Sequence, residues 1–168
     1  MSDSVAPPSS QSGSGAPALP SALEDIVTGF ADAPREIVLP MLVEYADVVP
    51  PLPPALVEHP ELMEQVVECQ TPFFLYASLA AGGTVDIAFE APREAPTTRA
   101  FAGILYEGLA GLTPAEILAV PDDFYLRMGL GGVISPLRLR GMSAILGRLK
   151  HRVAALSASA TSVDSGAA

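Results

Sequence analysis

The chain has 168 residues, 49% of them hydrophobic, which suits one folded domain. Nineteen acidic against nine basic side chains give a formal charge of −10, the wrong sign for gripping a phosphate backbone. A single cysteine, Cys69, excludes an internal disulfide and a cysteine-rich metal site.

Residues 1–18 are mostly Ser, Gly, Pro and Ala, too poor in large apolar groups to offset the entropy of ordering, and are expected as a disordered tail. They contain no basic region followed by an apolar block, so no export signal is read. No apolar run approaches the ~18 residues of a membrane helix, and the expected location is the cytoplasm. The domain is expected over 19–156. A first helix opens at Ser21, where Ser21-Ala22-Leu23-Glu24 fits a capping box. Leu23, Ile26, Val27 and Phe30 fall on one face of it. A second helix follows over about 34–46, with Ile37, Val38, Met41, Leu42 and Tyr45 as its stripe and Pro40 expected to kink or split it. The run Pro50-Pro51-Leu52-Pro53-Pro54 stops helical structure.

The middle reads as β-structure. Met63 to Val67 suits a short strand, and Pro72 to Ala80 suits a buried one. Gly82-Gly83 marks a hairpin turn. From Thr84 to Glu90 the chain alternates, with Val85, Ile87 and Phe89 on the inner face. Beyond it lie a helix over about 97–112, a capping box at Thr113-Pro114-Ala115-Glu116, and a short helix over 122–128. A last helix is capped by Ser135-Pro136, with the stripe Leu139, Met142, Ile145, Leu146, Leu149, Val153 and Leu156. Residues 157–168 read as a second disordered tail. Helices, three strands and helices in that order predict an α+β fold: a small antiparallel β-meander packed by N- and C-terminal helices.

Charge is unevenly placed. Residues 1–68 hold eleven of the acidic side chains and a single basic one, Arg35, which makes either a solubility device or an acidic docking face. Cys69 lies in the polar connection Glu68-Cys69-Gln70-Thr71-Pro72, a setting for an accessible thiol more than for a core one. A dithiol redox enzyme needs a second cysteine, which the chain lacks. A cysteine hydrolase needs a base, and His59 and His151 read as surface residues, so that reading would rest on His59. A sulfur carrier needs one thiol alone, whose thiolate takes the outer sulfur of a persulfide. Glu68 should disfavour that thiolate. Arg138 and Arg140 stand in the first turn of the last helix, where the macrodipole disfavours cations by ~0.3–1 kcal/mol each. A carboxylate, the Cys69 thiolate or a partner should compensate them. Arg148, Lys150 and Arg152 read as a solvated face, and Asp122-Asp123 as a helix cap, not a metal site.

Three segments then resemble the SufE family of cysteine desulfuration proteins. Glu68-Cys69-Gln70-Thr71 stands for the family's Gly-Cys-Gln-Ser, with Glu68 for Gly, Thr71 for Ser, and Phe74 for a common Trp. Leu112-Thr113-Pro114-Ala115-Glu116-Ile117 and Ile134-Ser135-Pro136-Leu137-Arg138-Leu139-Arg140-Gly141 match two further elements in order. The resemblance implies a SufE/IscU-like fold and a persulfide acceptor at Cys69. It implies that the protein activates a SufS-type desulfurase and is not itself a stand-alone enzyme. Gln70 and Thr71 would shape the loop, Glu68 tune it, and Arg138 serve docking or thiolate stabilisation. Pyridoxal phosphate would belong to the desulfurase, with no cofactor on this chain. The sulfur would pass to the iron–sulfur scaffold of that pathway, without nucleic acid or membrane. The alternative is a structural adaptor whose cysteine does not react.

Overall fold

The computed structural model describes residues 18–164. The expected N-terminal tail, apart from Ala18, and residues 165–168 lie outside this range.

Helix α1 spans Ser21–Asp32 and buries Leu23, Ile26, Val27 and Phe30, as its periodicity requires. Its start differs from expectation. Pro20 takes the N-cap position in extended geometry, and Ser21 makes no capping bond. Glu24 instead accepts two bonds from Arg127, one of them from Nη1 at 2.9 Å. Helix α2, Arg35–Glu44, runs through Pro40 without being split and continues as a 3₁₀ turn, Tyr45–Asp47. Only Val38 and Leu42 of its apolar stripe are buried, while Ile37 faces outward. After the proline run comes a short helix that the sequence did not announce, α3, Pro54–Glu58. Pro54 opens it at the position where a missing N–H costs nothing.

Three strands form one antiparallel sheet in the order β1-β2-β3. Strand β1 is only Glu64–Gln65, paired with Leu75 and Phe74. Strand β2 is Phe74–Leu79 and β3 is Val85–Glu90, in register from Phe74↔Glu90 to Leu79↔Val85. Gly83 turns the hairpin at φ +81°, a value that L side chains rarely adopt. The inner face, with Leu75, Ala77, Val85, Ile87 and Phe89, joins the main core. Phe73 and Phe89 pack there with ring centroids 5.7 Å apart. The outer face is not left to solvent, because Ala88 is buried under Leu56 of α3 and Met63.

Helix α4, Pro96–Leu109, crosses behind the sheet. The chain then returns to the sheet edge, where Gly111 N–H donates to Val85 O and Val85 N–H to Leu112 O. Helix α5, Pro114–Ala119, opens on the expected capping box, with Thr113 N–H donating to Glu116 Oε2 at 2.8 Å. The expected helix over 122–128 is a 3₁₀ turn, Phe124–Met128, and neither aspartate caps it; Asp122 accepts from Lys150 at 2.6 Å. Helix α6 begins at Pro136 and reaches Asp164. Residues 157–164, expected as tail, are therefore helical. Ala is the strongest helix former, and the hydroxyls of Ser157, Ser159 and Thr161 are accommodated by bonding back to carbonyls four residues earlier. The α6 stripe from Leu139 to Val153 is buried against the sheet and α4. Three-stranded sheet and flanking helices make the α+β architecture that the order of elements predicted.

Candidate functional site

Cys69 sits in the connection between β1 and β2. The connection is closed at its base by Val66 N–H donating to Phe73 O at 2.9 Å, and both residues are fully buried. Between these two anchors the chain turns, with Cys69 N–H donating to Val66 O at 3.2 Å. Val67 and Gln70 point outward, whereas Cys69 is half-buried and packs against the edge of the core. Two buried anchors at the ends of an otherwise exposed or half-buried turn thus hold a thiol at the surface without consigning it to the interior.

The thiol borders a recess of about 150 Å³, lined also by Glu68, Gln70, Thr71, Phe101 of α4 and Arg138 of α6. All five residues singled out in the sequence therefore meet at one place. The floor is apolar, through Phe101 and Ile145, and the rim carries exposed Leu137. Its volume exceeds the ~30 Å³ share of one water, so a single added sulfur fits beside the thiol.

Electrostatics pull in two directions. Burial first, and then the Glu68 carboxylate, push the Cys69 thiol above its ordinary value. Glu68 itself is held below the usual carboxylate range by its own backbone N–H and then by Arg148. Arg148 donates to Glu68 Oε1 at 2.8 Å and to Glu64 Oε1 at 3.2 Å. It is part of the loop's support and not of a solvated face, which corrects the expectation. Lys150 is corrected likewise, since it donates to Val120 O and to Asp122. The sequence held only a general signal, the acidic surplus of residues 1–68 that needs basic partners from the second half, and no local mark of which base meets which acid.

Arg138 differs from these. Its backbone N–H caps weakly onto Ser135 Oγ at 3.5 Å, but its guanidinium has no acceptor among the described residues, nor has that of Arg140. Arg138 thus lines the same recess as Cys69 and Glu68 with its guanidinium unpaired among the described residues, a cation available to an anion formed there. His59 pairs with Glu61 at 3.0 Å and lines none of the recess, so the base that a hydrolase would need is not beside Cys69. Among the described residues no three His, Cys, Asp or Glu side chains form a metal-holding group, and no helix is long and apolar enough to cross a membrane.

The chain matches the protein-family model SufE, described as an Fe-S metabolism associated domain, over residues 24–153. Two uncharacterised SufE-like proteins, from two strains of Mycobacterium tuberculosis, are each 50% identical over 135 residues. The match covers 80% of this chain and 93% of each of theirs. The solution structure of a hypothetical protein from Thermus thermophilus superposes with a TM-score of 0.74 at 43% identity, covering 84% of this chain and 99% of that one.

Proposed function

Because the chain belongs to the SufE family and so to iron–sulfur metabolism, we propose that it is a sulfur carrier whose acceptor is Cys69. The observation that carries this reading is one recess lined both by a half-buried loop thiol and by a guanidinium with no ion-pair partner among the described residues.

The chemistry is a thiol exchange with one sulfur passed along. Cys69 loses its proton to solvent. Its thiolate attacks the outer sulfur of a donor cysteine persulfide, and the donor's S–S bond breaks. The donor cysteine leaves as a thiolate and regains a proton, while Cys69 becomes the persulfide. One S–S bond is exchanged for another, so no external oxidant or reductant is consumed. Arg138 offers a counter-charge to the attacking thiolate and then to the more acidic persulfide. Gln70 and Thr71 shape the loop. The donor is a SufS-type cysteine desulfurase, which brings its own pyridoxal phosphate, and the next acceptor is the iron–sulfur scaffold. In this reading the protein works in the cytoplasm, carries no cofactor, and accelerates the desulfurase by clearing its product. Exposed Val67 and Leu137 flank the recess and give an apolar contact for the donor.

The test is intact-protein mass after incubation with a SufS-type desulfurase and cysteine, without reductant. A reducible gain of one sulfur, absent in Cys69→Ser, is expected, together with loss of desulfurase stimulation in that variant. No gain with a desulfurase that is turning over, and a thiol that reacts with a small alkylating reagent, would favour the adaptor instead.

A further inference from the structure

We propose that Arg148 is a positioning residue for Cys69, tying Glu68 and Glu64 to α6 and so setting both the stance of the loop and the charge beside the thiol. The proposal rests on Cys69 being the working residue of the function proposed above.

One planar guanidinium serves two segments. Nη1 meets Glu64 of β1 at 3.2 Å and Nη2 meets Glu68 of the loop at 2.8 Å. It stands on α6 next to Leu149 and one turn from Ile145, both fully buried, so the fork springs from a helix fixed on the core. Its side chain is 29% exposed against 49% for Glu68, which makes it the sheltered, fixed member of the pair. Glu68 thus places a carboxylate next to the thiol, and a cation stands opposite it. Two acids on one base leave a net negative charge. Without Arg148 the carboxylates would repel each other and the thiol's environment would become more negative.

The charged groups around Cys69 come from each element packed there. Glu68 is adjacent in the loop, Glu64 stands on β1, and Arg138 and Arg148 stand on α6. His151 shares a surface recess with Glu68 and Arg148, and Glu94 shares another with Thr71 and Arg138. Of these, Glu68 carries the electrostatic rise in the thiol, after burial. Arg148 is the group bonded directly to Glu68.

The experiment is the rate of Cys69 alkylation by iodoacetamide against pH in the full chain, which yields an apparent thiol pKa and a limiting thiolate rate. Arg148→Gln is expected to raise the apparent pKa, because Glu68 and Glu64 lose their counter-charge. Glu68→Gln is expected to lower it. Both should raise the limiting rate by about 2- to 5-fold, the range set by breaking a partly exposed ion pair. Arg148→Lys keeps the charge and loses the fork, so it should hold the pKa and still raise the rate. Shifts of the pKa in opposite directions are what a merely structural role would not produce. An unchanged pKa in Arg148→Gln and Glu68→Gln, or changes in rate that follow only the loss of thermal stability, would overturn the proposal. The desulfurase is absent from the assay, so failure of sulfur uptake and failure of this positioning role are read separately.

Discussion

At position 138 a cation sits where a helix disfavours one, and no acid answers it among the described residues. The macrodipole disfavours it by ~0.3–1 kcal/mol, so removing the charge should not cost stability. Arg138→Ala is therefore expected to leave the unfolding midpoint unchanged or slightly raised, and to slow sulfur uptake from a desulfurase several-fold. Thermal scanning beside timed mass spectra checks both; undiminished uptake would remove Arg138 from the reaction. At this scale the sequence displayed the loop residues and Arg138, because a polar break around a cysteine and a misplaced cation are local patterns. It did not display the Arg148 fork. Its two partners lie 84 and 80 residues away, and a basic residue on an exposed-looking face has no local mark of what it meets.

Among the elements, two similar patterns had different outcomes. Thr113 and Glu116 form the reciprocal box, with Pro114 fixing the first helical residue. Ser21 and Glu24 do not, because Pro20 already supplies the extended N-cap and Arg127 draws Glu24 away. A capping box is local, and it yields where a tertiary ion pair competes. Glycines show the same limit. A Cβ on Gly103 of α4 would stand 1.9 Å from the Tyr45 carbonyl oxygen, while one on Gly29 of α1 would meet nothing within 4 Å. Gly103→Ala should cost at least about 1–3 kcal/mol, since backbone must move, and Gly29→Ala should stabilise by about 0.5–1 kcal/mol. Urea midpoints decide it: equal effects would mean that α4 and the Tyr45 turn are not in close contact. Periodicity located α1, α4 and α6 and the β2–β3 hairpin. It missed α3, which is too short for a period, and the extension of α6, where Ala and Ser form helix without any apolar stripe.

Across the whole molecule, no charged or polar residue is buried among the described residues, so titration acts through the surface. The pairs Glu24–Arg127, Glu64/Glu68–Arg148 and Asp122–Lys150 join distant parts of the chain, and the first two tie the acidic first half to bases of the second. The uneven charge distribution is thus partly internal wiring. Glu24, Glu68 and Glu116 have folded-state values below the ordinary 4.5, chiefly through bonds from Arg127, from the backbone N–H of Glu68, and from Thr113 respectively. A carboxylate lowered on folding binds fewer protons in the native state, so its contribution is present above pH 4.5 and lost as pH falls through the folded values. Stability should fall on acidification below that point, and less steeply in high salt, where these exposed pairs are already screened. A urea midpoint that stays flat through the carboxylate range would show that the pairs contribute nothing.

The buried posts Val66 and Phe73, finally, limit how far Cys69 can travel. Cys69 is three residues from the nearer post, and a fully extended chain gains ~3.3–3.6 Å per residue, so its Cα stays within about 11 Å of Val66. That is a short tether, not a swinging arm. In the proposed function, a donor and a recipient would each have to come to the domain's own surface at this tip, and they would have to take turns there.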